Sequence, residues 1–241
     1  MGEIILVERD GAIATVTLNK PERLNALDRS MWVRLGGIFG ELDRDESLRC
    51  IVLRGAGDKA FAAGADIAEF ANERANAAQA KRYGEDVAAS LRALAECRHP
   101  TVALIQGACI GGGMDLITAC DIRLCSADAT FSVRETKIAM VADVGSLQRL
   151  PRVIGDGPAR ELIFTGRDID ATRAQAIGLV NDVLPDHATL FERARALAHE
   201  IAANSPLAVQ GSKQVLGFAT RREVDAALDY VALWNAAFLH S

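Results

Sequence analysis

Thr101-Val102-Ala103-Leu104-Ile105-Gln106-Gly107-Ala108-Cys109-Ile110-Gly111-Gly112-Gly113-Met114-Asp115-Leu116 is the stretch on which the reading of this chain turns. The apolar run Thr101 to Ile105 predicts a buried strand, Gly107 to the glycine triplet a loop, and the residues after it an apolar helix with Asp115 in its first turn. The same plan stands upstream, where a strand beginning at Ile51 runs through a glycine-containing turn to Ile67. The first amides of a helix lack intrahelical acceptors and sit at the positive end of its dipole, so each turn is a potential site for negative charge. If Ala63 and Gly112 aim their N–H groups at one point, they form an oxyanion hole, a place where a carbonyl oxygen can become an enolate. Tight turns and close packing are the other explanation of the same glycines.

Outward from these turns, Ile4 to Glu8 and Ala12 to Leu18 predict two strands joined across Asp10-Gly11. Asp28 caps a helix carrying Met31, Leu35, Ile38, Phe39 and Leu42 at helical spacing. Cys50 to Leu53 is a short buried strand, Ala75 to Cys97 a helix broken by Pro100, and Ile122 to Leu124 and Thr130 to Val133 two more strands. Beyond Asp156 helices are expected at 156–164, 172–177, 187–203, 206–219 and 222–238. Strands first and helices after describe an α/β core with a mainly helical C-terminal region.

With 241 residues, 50% hydrophobic and 24% charged, the chain can bury a real core, and no linker composition divides it. A net charge of −5 with dispersed cations excludes a phosphate-backbone groove, so no nucleic-acid partner is expected. No stretch has membrane-spanning length. The odd number of cysteines, five, mostly within apolar runs, points to a reducing compartment and hence to the cytosol.

Gly55-Ala56-Gly57-Asp58-Lys59-Ala60 matches the loose dinucleotide fingerprint. It should open a long helix, however, and Ala60-Phe61-Ala62 reads instead as a continuing apolar turn. Signatures of serine, metal and P-loop chemistry are missing from the sequence. His99, His187, His199 and His240 are scattered, and His99 and His199 read as helix-end or surface residues. Proton transfer at carbon needs tunable carboxylates. Three stand out: Asp115 in the glycine-rich helix, Glu135 after a strand, and Asp143 within the apolar run Ile138 to Val144. Each has a structural alternative. Asp115 can serve the helix dipole, Glu135 can pair with Arg134 or Lys137, and Asp143 can cap a helix starting near Gly145.

Lys59 to Ile67, Gly107 to Asp115, Pro21 to Leu27 and Gly178-Leu179-Val180 together resemble the enoyl-CoA hydratase/isomerase (crotonase) family over nearly the whole chain. The resemblance implies a spiral of strand-strand-helix repeats over residues 1–190 and a helical trimerisation region over 191–241, giving trimers or paired trimers. It also implies an acyl-CoA thioester substrate and no cofactor or metal, coenzyme A entering as part of the substrate. Ala63 and Gly112 would supply the oxyanion hole, and Ala65, Asp66 and Ile67 with Arg23 and Leu24 would line the coenzyme A channel. Met114, Phe70, Ile138 and Met140 are the side chains expected to set pocket depth.

Family hydratases carry two glutamates where this chain has Asp115 and Glu135, and glycine where it has Asp143. The three acids instead resemble those of the family's Δ3,5-Δ2,4-dienoyl-CoA isomerases. That resemblance implies that Asp143 takes the C2 proton, Glu135 delivers one at C6, and Asp115 tunes or orients Glu135. The alternatives are an enoyl-CoA hydratase using Glu135 and Asp115 on water, and a non-catalytic acyl-CoA-binding subunit. Relatives usually continue through another helix past the point where His240-Ser241 stands, so the expectation includes a truncated C-terminus.

Overall fold

The opening hairpin forms as its turn predicts. Ile5–Asp10 (β1) pairs antiparallel with Ile13–Leu18 (β2), and Gly11 takes the positive φ (58°) that the turn requires. The computed structural model describes residues 3–69, 73, 75–142 and 145–218. Helix α1 (Arg29–Asp43) starts where Asp28 accepts the Met31 amide at 2.8 Å, and it buries Met31, Trp32, Leu35, Ile38, Phe39 and Leu42.

From here the chain spirals. Cys50–Gly55 (β3) joins β2 in parallel, Ala60–Ala62 (β4) starts a second sheet, and α2 (Ala77–Glu96) returns the chain. Thr101–Ile105 (β5) pairs with β3, Ala108–Ile110 (β6) with β4, and α3 (Gly112–Ala119) follows. Ile122–Ser126 (β7) extends the first sheet, Thr130–Ser132 (β8) the second, and α4 (Ser146–Ile154) follows. This is the strand-strand-helix repeat. It continues into α5 (Asp156–Thr165), Ile169–Asp170 (β9), α6 (Ala171–Ala176), Asp182–Leu184 (β10), α7 (His187–Ala202) and a helix over 206–218. The sheets run β1-β2-β3-β5-β7-β10 and β4-β6-β8-β9.

The first sheet is covered on both faces. Ile51 and Leu53 of β3 and Ala103 and Ile105 of β5 enter the main core, while Cys50, Val52, Val102 and Leu104 pack with Leu190, Ala194 and Ala198 of α7. Strands buried on both sides read as unbroken apolar runs rather than alternating ones. The boundary drawn at residue 190 falls within α7, whose apolar face belongs to this packing.

Three expectations about strands are corrected. Ala60-Phe61-Ala62 is strand β4 rather than a turn, and the expected loop after Gly107 contains β6. The region beyond Asp156 also gives a strand to each sheet, β9 and β10. Strands of two or three residues carry no readable periodicity, and their neighbours hold them in place. His99, expected at a helix end or on the surface, follows the end of α2 and is fully buried. The expected helix at 222–238 lies outside the described residues.

Candidate active site

β4, β6 and β8 run parallel, so their C-terminal ends lie at one edge of the second sheet. Three segments leave that edge: Ala63–Ile67 after β4, Gly111–Asp115 after β6 and Val133–Ile138 after β8. They meet around a cavity of about 540 Å³ whose walls include Trp32, Ala65, Gly112, Asp115, Glu135 and Ile138. That size suits a small-molecule site.

The backbone decides which amides face this cavity. The Ala63 amide donates to Leu24 O at 3.0 Å and is therefore spent, which corrects the expectation that it forms half of an oxyanion hole. Gly64, at φ 96°, turns the chain. Leu27 N then donates to Gly64 O (2.8 Å) and Asp66 N to Leu27 O (3.0 Å). Between these bonds the Ala65 amide has no acceptor among the described residues, and neither has the Gly112 amide at the start of α3. The two are close: a Cβ built on Gly112 would lie 3.7 Å from Ala65 N, and 3.1 Å from both Leu27 Cδ1 and Trp32 Cζ2. Gly113 is as constrained, since its Cβ would stand 2.7 Å from Ala62 O.

Two of the three expected acids reach the cavity. Asp115 is buried at 3% exposure and accepts a hydrogen bond from Ser146 Oγ at the start of α4. Glu135 opens the 3-10 turn Glu135–Ile138, and its Oε1 lies 3.2 Å from where a Cβ on Gly111 would be. The Arg134 guanidinium bonds both oxygens of Asp168 at 2.7 and 2.6 Å. Asp143 lies outside the described residues, as does Phe70.

Ala65 and Ile67 line the cavity, whereas Arg23, Leu24 and Asp66 lie beside it, Arg23 bonding Asp66 at 3.0 Å. Ile138 and Met140 line it too, but Met114 is packed in the core. Burial pushes the thiols of Cys50, Cys120 and Cys125 up to about 12 and that of Cys97 up to about 11, so none of the four is a thiolate near neutral pH. A larger groove of about 1260 Å³, between α2, α3 and the 206–218 helix, contains neither free amide nor either acid.

Asn25 and Ser146 went unnoticed in the sequence. Leu24 and Asn25 both have φ 53°, and the fully buried Asn25 side chain secures this left-handed turn. It accepts from Lys20 N (3.0 Å) and donates to Ala56 O (2.9 Å) and Ala60 O (2.8 Å), fixing the carbonyl that occupies Ala63. Asparagine's tolerance of that conformation was the available signal. For Ser146 there was none, because its partner is 31 residues away.

The enoyl-CoA hydratase/isomerase family model matches residues 8–233. The chain is 44% identical, over 95% of its length and 81% of the relative, to a Delta(3,5)-Delta(2,4)-dienoyl-CoA isomerase, mitochondrial, of Dictyostelium discoideum. It is 40% identical, over 99% of its length and 89% of the relative, to a Delta(3,5)-Delta(2,4)-dienoyl-CoA isomerase, peroxisomal, of Arabidopsis thaliana. A solved enoyl-CoA hydratase/carnithine racemase of Magnetospirillum magneticum superposes with a TM-score of 0.86 at 43% identity, over 90% of this chain and 81% of that one. The repeat, the glycine turns and these similarities together show that the chain belongs to the enoyl-CoA hydratase/isomerase family.

Proposed function

We propose that this protein isomerises 3,5-dienoyl-CoA to 2,4-dienoyl-CoA. The observation that carries the reading is that the acceptorless amides of Ala65 and Gly112 lie in the walls of the same cavity as Asp115 and Glu135. A thioester oxygen bound by both amides gains its strongest hydrogen bonds as it becomes negative. Loss of a proton from C2 then spreads the electron pair over the oxygen and C2, C4 and C6. Protonation at C6 leaves the conjugated 2,4-diene. In this scheme Asp143 takes the C2 proton, Glu135 delivers the C6 proton and Asp115 orients Glu135. Coenzyme A enters with the substrate past Ala65, Asp66 and Ile67, near Arg23 and Leu24, and the scheme needs no other cofactor.

The names of the two relatives support the isomerase reading, and that of the solved relative keeps hydration of 2-enoyl-CoA as the competing one. Offering the purified protein each substrate separately decides between them. Diene absorbance should rise with the 3,5-dienoyl thioester, with little hydration of the 2-enoyl thioester; hydration alone would overturn the isomerase assignment. Asp143→Asn should lower isomerisation by about 10² to 10⁴, as for loss of a general base.

Outside the cavity, the free thiols of Cys50, Cys97, Cys109, Cys120 and Cys125 support a reducing compartment, cytosolic in our reading. The mitochondrial and peroxisomal names belong to the relatives. Exposed Leu207, Val215, Leu216 and Phe218 on the last described helix support a homotrimer, or a pair of trimers.

A further inference from the structure

Ser146 stands at the first position of α4, just after Gly145, whose φ of 106° turns the chain into the helix. A serine there commonly satisfies its hydroxyl locally. This one reaches across to α3 and donates to Asp115 Oδ1, with Ser146 1% and Asp115 3% exposed. Asp115 is among the described residues that line the cavity, and Ser146 is not.

We propose that Ser146 is a positioning residue for the isomerisation, holding the Asp115 carboxylate ionised and aimed into the cavity. A hydroxyl that donates to a carboxylate favours its charged form and fixes its rotamer. Cys109 on β6 lies near Asp115, and Glu135, Arg134 and Lys137 line the same cavity. Ser146 is a neutral donor to Asp115, joining the start of α4 to the first turn of α3. The role rests on the isomerase reading.

The test is Ser146→Ala beside Ser146→Thr and wild type, assayed on a 3,5-dienoyl-CoA from pH 5 to 9, with affinity for a saturated acyl-CoA measured in parallel. Ser146→Ala should lower kcat by about tenfold while KM and saturated acyl-CoA affinity change less than twofold, since Ser146 is not among the residues that line the cavity. Removing the donor disfavours ionised Asp115, so the acid limb of the rate profile should move to higher pH, and threonine, which keeps the hydroxyl, should restore both rate and limb. If alanine does not fold, Ser146→Cys, nearly isosteric with a far weaker donor, carries the same expectation. Wild-type isomerase activity with Ser146→Ala unchanged, or reduced equally at every pH, overturns the role of Ser146 alone. A wild type that does not isomerise the dienoyl thioester overturns the isomerase reading and this role with it.

Discussion

Ala65 presents its amide because Ala63, two residues before it, has already given its own to Leu24, and because Gly64 can take a positive φ between them. Spacing shows that a turn of this kind exists, but only the partner on another segment shows which of its amides is left over. Gly112 is the complementary position. A methyl there would press on Leu27 and Trp32 and crowd Ala65, so Gly112→Ala should cut kcat by about 10² to 10³. Steady-state kinetics on the dienoyl thioester check this, and a variant within threefold of wild type would remove Gly112 from the site. His99 offers a different test. Burial and the neighbouring Arg98 hold it below the usual imidazole range, whereas in the unfolded chain it titrates near pH 6.5. Below about pH 6.5 the unfolded state therefore binds the extra proton, and stability should fall as pH drops from there towards the native value. Urea unfolding from pH 7 to 5 should show this slope, and His99→Gln should flatten it.

At the scale of elements, legibility followed length and amphipathicity. The cap at Asp28 and the buried stripe of α1 were readable because both are local. β4, β6, β9 and β10 were not, since segments of two or three residues are defined by the strands beside them. The acids Asp115 and Glu135 were visible from their places, one in the first turn of a glycine-rich helix and one just after a strand, but Ser146 and Asn25 act through contacts far along the chain. The helix over 206–218 was readable from its pattern, its docking was not. Lys213 donates to His99 O at 2.9 Å and to Asp121 Oδ2 at 2.7 Å, while Asp121 also accepts from Thr101 N and Oγ1. Lys213→Met deletes the charged partner and should cost about 2 kcal/mol, typical of a hydrogen bond to a charged group. Limited proteolysis should then cut faster near Asn204-Ser205, where the chain leaves α7 for this helix. An unchanged cleavage rate would show that the helix is held by its apolar contacts alone.

For the molecule as a whole, the spiral explains why a site can be assembled from residues as distant as 65, 112 and 135. Each pass sends one strand to the second sheet, and because β4, β6 and β8 are parallel, each pass delivers the residues after its strand to the same edge. A topological repeat thereby becomes a convergence of two amides and two acids. The helix over 206–218 is the last element among the described residues, with Lys213 turned to the core and Leu207, Val215, Leu216 and Phe218 between 62% and 83% exposed. So many large apolar side chains on thirteen residues of helix call for a covering surface. If that surface is another copy of the chain, light scattering should give three or six times the 25.7 kDa chain mass. Leu207→Glu combined with Leu216→Glu should shift the protein to monomer, because each glutamate would lose its hydration on association. A wild type that scatters as a monomer at micromolar concentration would overturn the trimer.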